Sequence, residues 1–460
     1  MHSIKAILIL ILVLWITPAA IGQGKFGKQQ VLDDLEYMRK SLEEAHYNLY
    51  TYTTKKAFDQ NYQNVLASIS KDSLSLVETT SLLQKVISKA NNGHTEINFP
   101  GSAYGQYGSS GGTLFPLELA FEDGKALIKK NLSGNADLKV GREVVSINGL
   151  SMEQVLAKIF PLISAERRYF KLAKLELFAF PRYYWQAFGE QKQFEVTIKT
   201  ADITQNYQLG SVAVFEGFED KRTDFWIYQR GLEFYKNSAY LKAGHLSGDL
   251  EAYKRFIDSC FTQINRKNPP NLIIDLRNNL GGNDSFGDYL ISYIANKPFR
   301  WYSEFSLKTS AILKDHVRKK YDTTQVYWKS VLGNKNGSIY PYDFGLYNPQ
   351  PKDKRYLGKV YALVNRQSHS MSAVAASQFQ DYHLATIVGE ETGDSPSLLA
   401  SQYSYFLPNT GIEVKLAKGY IVRVSGSKKP EGLQPDIYIR DHLLDEMDEV
   451  LEGLLELIDN

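Results

Sequence analysis

Two apolar runs, each passing straight into a polar turn and then a helix-forming segment, constrain this chain more than any other feature. Leu272-Ile273-Ile274-Asp275-Leu276 leads into Arg277-Asn278-Asn279-Leu280-Gly281-Gly282. Val360-Tyr361-Ala362-Leu363-Val364 leads into Asn365-Arg366-Gln367-Ser368-His369-Ser370 and the small-residue stretch Ala373-Val374-Ala375-Ala376. A strand that is apolar on both faces must be covered on both sides, the situation of a buried strand in an α/β sheet. Strand and helix patterns alternate from Ala239 onward, so an α/β domain is expected there. At 460 residues the chain exceeds what one core usually covers, and two or three domains are expected. With 43% hydrophobic and 23% charged residues it has the make-up of a folded protein, not a disordered one. A net charge of only +2 and the lack of a long basic block argue against nucleic acid as a partner.

An N-terminal helical region is expected over residues 23–100. Leu32, Leu35, Met38 and Leu42 recur at helical spacing within 31–48, and a second helix runs from about Thr79 to Ala90. It stops at Asn91-Asn92-Gly93, a helix-end signal. Residues 101–112, rich in Gly, Ser and Tyr, read as a flexible linker. From Thr113 short strands take over, with turns at Asp123-Gly124 and Asn148-Gly149 and a helix over Ser151 to Ile159. The stretch Leu138 to Gly149 resembles the second half of a PDZ domain but lacks a clear carboxylate-binding loop, so a small PDZ-like domain is expected over 113–165. Residues 166–232 read as an aromatic connecting β segment, 233–442 as the α/β core, and 443–460 as a C-terminal helix.

Lys5, the apolar run Ala6 to Ile16, and small residues Ala20 and Gly22 before Gln23 have the form of a signal peptide over residues 1–22. The expectation is therefore a secreted or periplasmic protein, not integral to the membrane after cleavage; an uncleaved anchor is the alternative. Cys260 is the one cysteine, which excludes an internal disulfide and a cysteine-based metal site. Secretion without disulfides suits a bacterial periplasm or exterior.

Chemistry is expected at the two strand-to-loop junctions. Gly281 and Gly282 let backbone N–H groups face a cleft unobstructed, as a plain tight turn or as oxyanion donors. Ser370 precedes a helix, where a serine is either a cap or a nucleophile whose charge the helix terminus favours. Together the junctions resemble the C-terminal-processing (tail-specific) and tricorn-core serine peptidases. The first is similar to that family's D-L-R-x-N-G-G-G and the second to its V-N-x-x-x-S-A-S-A-S-E. Ala385-Thr386-Ile387-Val388-Gly389-Glu390-Glu391-Thr392-Gly393 is similar to its A-x-I-V-G-E-x-T-x-G. The family's spacing back from Val388-Gly389-Glu390 falls on Ser370, not Ser368 or Ser372. The resemblance extends to Gly93-His94-Thr95, Phe406 to Gly411 and Gly432 to Ile437, most of the mature chain.

The better-known branch takes its base from a lysine just after the Val-Gly-Glu motif. Here Gly393-Asp394-Ser395-Pro396-Ser397 stands there and the lysine is missing. The tricorn-like branch uses a histidine after the N-terminal helices, and His94 matches it, although Gly93 replaces the serine that precedes that histidine. Glu431 is the candidate acid for orienting the site and Asp394 the substitute. His369 is a rival base beside Ser370. The other histidines occur singly, so no metal is implied, and no cofactor. Asp275 and Arg277 read as structural charges. The resemblance implies a ClpP/crotonase-like core that hydrolyses peptide bonds through an acyl-enzyme on Ser370. His94 would be the general base, and the N–H groups of Gly281, Gly282 and Met371 would bind the oxyanion. Peptides or proteins are the implied substrates. The alternatives are an inactive peptide-binding protein on the same scaffold and an esterase with the same triad logic.

Overall fold

The computed structural model describes residues 24–201, 203–222 and 229–459, so the expected signal peptide over 1–22 lies outside the described residues. The apolar runs form the middle of a sheet ordered Gly231–Phe234, Ser238–Lys242, Asn271–Asp275, Lys359–Val364, Thr386–Gly389, Ile437–Tyr438. Its first pair is antiparallel and every later neighbour parallel, with Ile274 opposite Ala362 and Leu363 opposite Val388. Period two then sorts the side chains. Leu272, Ile274, Ala362 and Val364 face the main core, with Ile257 and Phe261 of the helix Leu250–Lys267 and with the N-terminal helices Lys28–Ala45, Lys55–Ala67 and Leu76–Ile87. Tyr240, Ile273, Leu363 and Val388 face the C-terminal helix Glu449–Asp459 through Leu451 and Leu454. Each such aliphatic side chain contributes about 1.5–3 kcal/mol by leaving water.

That last helix begins later than the sequence pattern suggests. Asp448 fixes its start by accepting the Leu451 N–H at 2.9 Å while gripping the Arg277 guanidinium through both oxygens.

A four-stranded antiparallel sheet, ordered Ile339–Pro341, Glu304–Lys308, Glu413–Val422, Leu398–Phe406, joins the same core. A third, antiparallel sheet runs Leu117–Glu122, Lys125–Asn131, Glu143–Ile147, Gln193–Thr200, Ile203–Gly210 around its own apolar core. The last two strands come from the segment read as a connection, so this unit extends past residue 165. Ahead of these two strands lie the helices Arg168–Phe178 and Phe180–Phe188, separated by Ala179 at φ 75° with Pro181 just inside the second, where β structure was expected. Residues 101–112 also differ from expectation. Gly101–Ser109 is a helix because Tyr107 stacks on Trp185 at 4.9 Å and Tyr104 packs its edge there at 5.4 Å. That aromatic packing outweighs the poor helix propensity of glycine. Among the described residues no helix is long and apolar enough to cross a membrane.

Candidate active site

His94 reaches the site from the end of an N-terminal helix. Leu76–Ile87 closes through a short 3-10 turn and left-handed Asn91 (φ 49°), and the chain then turns back across the four-stranded sheet. Thr95 Oγ1 donates to Asn92 Oδ1 at 2.8 Å and accepts from Ala417 N–H at 3.2 Å. Gln402 Nε2 donates to the His94 carbonyl at 2.7 Å, and Glu96 exchanges two backbone hydrogen bonds with Lys415. These bonds fix the ring, which is 3% exposed.

Ser370 is brought to the ring by the strand Lys359–Val364 and the helix Met371–Asp381. It sits at the N-cap position with φ 56° and ψ −129°, and its hydroxyl makes no capping bond. Such a backbone costs roughly 1–3 kcal/mol in a residue with a Cβ and persists where a site requires it. Ser370 Oγ lies 2.9 Å from His94 Nε2. The flanking serines do something else: Ser368 and Ser372, both fully buried, donate their hydroxyls to the Leu276 carbonyl at 2.8 and 3.1 Å.

The glycine loop closes on this turn from the neighbouring strand. A Cβ on Gly281 would stand 2.6 Å from Met371 N and 2.8 Å from Ser370 Cβ, so only glycine permits the approach. The Gly281 N–H is already given to Asn279 Oδ1 at 2.9 Å. Among the described residues nothing accepts from Gly282 N–H or Met371 N–H, which leaves these two of the three expected donors free.

The acid beside His94 is Asp394, 1% exposed. Its Oδ2 accepts the Ser370 N–H at 3.0 Å and lies 3.7 Å from His94 Nδ1. Glu431 is not brought here: its partly exposed carboxylate faces Lys429 at 3.8 Å on the surface. His369 stands with its ring 5.5 Å from that of His94 and 5.2 Å from Phe170. Arg277 pairs with Asp275 and with Asp448, away from Ser370.

Two residues that the sequence reading did not single out complete the surroundings. Glu166 Oε1 accepts from Gly93 N–H and Asn92 Nδ2, both at 2.8 Å. Its Oε2 stands 3.1 Å from where a Gly93 Cβ would lie, so a carboxylate occupies the space that a side chain at position 93 would need. Lys174 Nζ donates to the carbonyls of Gly93 and Ser164 and to Glu96 Oε2. Both come from an aromatic segment with no local motif, and only tertiary structure carries them here.

Burial pushes His94 down to about 4, against the pull of the Glu166 carboxylate. Burial pushes Asp394 up to about 6, against the Ser370 N–H and the Lys174 charge, and raises Glu166 too, with Asp394 adding to the effect. His369 is held well below its usual value by burial and then by Lys174. At neutral pH His94 is therefore an uncharged ring able to accept a proton at Nε2. Ligand atoms of His94, His369 and Asp394 lie within 4.8 Å of one another and could together hold a cation, which would occupy the ring that faces Ser370. Two cavities, of about 480 and 590 Å³, meet at Ser370, His94, Gly282 and Gln402.

A hydroxyl on an uncharged imidazole, a carboxylate behind it, free N–H groups opposite and a cleft on both sides are the parts that serine-type acyl transfer needs. The model of peptidase family S41 matches residues 239–439, so the α/β core of this chain is similar to the S41 peptidases, as the sequence motifs indicated. Among solved structures, the chain is similar to mature CPAF, with 15% identity over 94% of this chain and 96% of that one and a TM-score of 0.64. Mature CPAF complexed with lactacystin aligns at 15% identity over 94% and 97%, with a TM-score of 0.62. A CPAF mutant aligns at 16% over 90% and 93%, with a TM-score of 0.60. At these identities the likeness is one of fold. No curated protein sequence matches the chain.

Proposed function

We propose that the chain is a secreted endopeptidase that cleaves peptide bonds through an acyl-enzyme on Ser370, with His94 as general base and acid. The observation that carries this reading is the 2.9 Å contact between Ser370 Oγ and His94 Nε2 at a strained turn facing two cavities. His94 takes the hydroxyl proton as Oγ attacks the scissile carbonyl. The oxyanion that forms is held by Gly282 and Met371 N–H, each donor contributing roughly 3 kcal/mol at the transition state. His94 then gives the proton to the leaving amine. Water, activated by the same ring, attacks the ester and releases the acid. Asp394 steadies the imidazolium and the nucleophile turn together. This assignment puts Asp394 where the sequence suggested Glu431.

The test is cleavage of a denatured, unstructured protein by residues 23–460, with Ser370→Ala and His94→Ala in parallel. Loss in both variants with folding retained supports the reading. Survival of activity in His94→Ala would move the base to His369. An inert wild type that still binds peptides would favour the binding-scaffold alternative. Labelling of Ser370 by a fluorophosphonate gives an independent check on the nucleophile.

A further inference from the structure

The larger of the two cavities that meet at Ser370 has an aromatic wall and a buried lysine. Tyr327, Trp328 and Phe344 line one side, and Met371 and Val374 of the helix after Ser370 line another. Lys418 enters from the strand Glu413–Val422 and is only 3% exposed, although its side chain reaches the cavity. Its ammonium donates to the carbonyl and hydroxyl oxygens of Ser401 at 2.8 and 2.6 Å. Tyr327 and Trp328 offer their ring faces at 5.7 and 6.0 Å. Ser401 itself is held at φ 55°, a conformation that serine rarely adopts, in the strand facing Lys418.

An ammonium has three N–H donors, and Ser401 takes two. No carboxylate pairs with Lys418 among the described residues. Asp284 lines the same cavity at the start of the helix Asp284–Ser292 and makes no ion pair with it. A buried cation without a counter-charge is costly, and burial accordingly pushes Lys418 down to about 7. An aromatic wall does not replace a counter-ion. A ligand carboxylate would.

We infer that this cavity is a specificity pocket in which Lys418 receives a carboxylate of the substrate next to the scissile bond. The pocket then selects against lysine and arginine there, since these would set a second cation beside Lys418. The inference rests on the peptidase reading above. The carboxylate has two sources, an acidic side chain flanking the cleaved bond or the C-terminal carboxylate of a short product segment, and the experiment separates them.

The experiment starts by digesting an unstructured protein with residues 23–460 and mapping the cleaved bonds by mass spectrometry. Around one mapped bond, peptides are made with Glu or Gln at each flanking position, each with a free or an amidated C-terminus. The expected result is a kcat/KM about tenfold higher for the carboxylate member of one pair, the size of one charge-assisted hydrogen bond. A Glu/Gln ratio locates the source in a side chain, and a free/amidated ratio locates it at the terminus. Lys418→Met and Lys418→Gln should bring that ratio close to one, and a ratio taken within one preparation is unaffected by a general loss of activity. An active wild type with ratios near one in both arms overturns the inference alone, as does a ratio that survives both substitutions. A wild type that cleaves nothing overturns it together with the peptidase reading.

Discussion

Asp394 Oδ2 accepts the backbone N–H of Ser370 at 3.0 Å while standing 3.7 Å from His94 Nδ1, so one buried carboxylate holds the turn that carries Ser370 and faces the His94 ring. Asp394→Asn keeps an oxygen for the Ser370 N–H and removes the charge. It should lower kcat by about 10²- to 10⁴-fold with little change in KM, since the lost term is stabilisation of the imidazolium. Glu431→Gln, at the surface, should stay within about twofold of wild type. Steady-state kinetics on one peptide decides between them: a large loss in Glu431→Gln and none in Asp394→Asn would reverse the assignment.

In the proposed mechanism the same pair sets the acid limb of activity. With Asp394 raised to about 6 and His94 lowered to about 4, the active form above pH 6 has an ionised carboxylate and an uncharged ring. As pH falls through 6 the carboxylate takes the first proton while the ring is still neutral. A plot of kcat/KM from pH 4.5 to 8 should therefore fall below about 6 with the slope of one proton, an apparent value that belongs to the coupled pair. In Asp394→Asn this limb should vanish from its wild-type position. A limb unchanged by the substitution would mean that another group titrates.

The three serines of the second junction should separate by function. Ser370→Ala removes the proposed nucleophile and should cut turnover by at least about 10⁴-fold without loss of stability. Ser372→Ala removes one of two buried hydroxyls bonded to the Leu276 carbonyl, which keeps Ser368, and should cost about 0.5–1.5 kcal/mol of stability, with cleavage retained in the folded fraction. Urea unfolding together with turnover per folded molecule distinguishes the two. Comparable loss of turnover in Ser372→Ala would place that hydroxyl in the chemistry.

Much of this was legible because periodicity is local. The runs Leu272–Leu276 and Val360–Val364 could only be doubly covered strands, and the parallel sheet holds them next to each other. Ser370 could be picked from three serines by motif spacing, and the two it left out bond to Leu276 O. Tertiary packing carried what local pattern missed. Glycine-rich 101–109 is helical because Trp185 stacks on it from far along the chain. Lys418 shares its face of the strand Glu413–Val422 with buried Val414 and Leu416, and nothing local says that Trp328 and Ser401 enclose its charge. Glu166 and Asp394 reach His94 from opposite parts of the sequence, and only the assembled fold decides which carboxylates lie there.

Asp288 offers a test of the core beneath the site. It is fully buried on the helix Asp284–Ser292, and its Oδ1 accepts from Gln378 Nε2 of the helix Met371–Asp381 at 3.1 Å. Its Oδ2 has no partner. Burial pushes it up from 3.8 to about 8, with the nearby Asp284 charge adding to the effect. Between those values the folded chain holds this proton and the unfolded chain does not. The folded state thus binds more protons, and the group's contribution to stability falls as pH rises, by up to about 1.4 kcal/mol per pH unit, until it levels off above 8. Asp288→Asn cannot titrate and keeps an oxygen for Gln378. The stability of the variant relative to wild type should therefore grow by about 1–3 kcal/mol between pH 5 and pH 7, read from urea unfolding at each pH. An equal difference at the two pH values would mean that Asp288 titrates alike in the folded and unfolded chains, and that a charge is tolerated under the helix that follows Ser370.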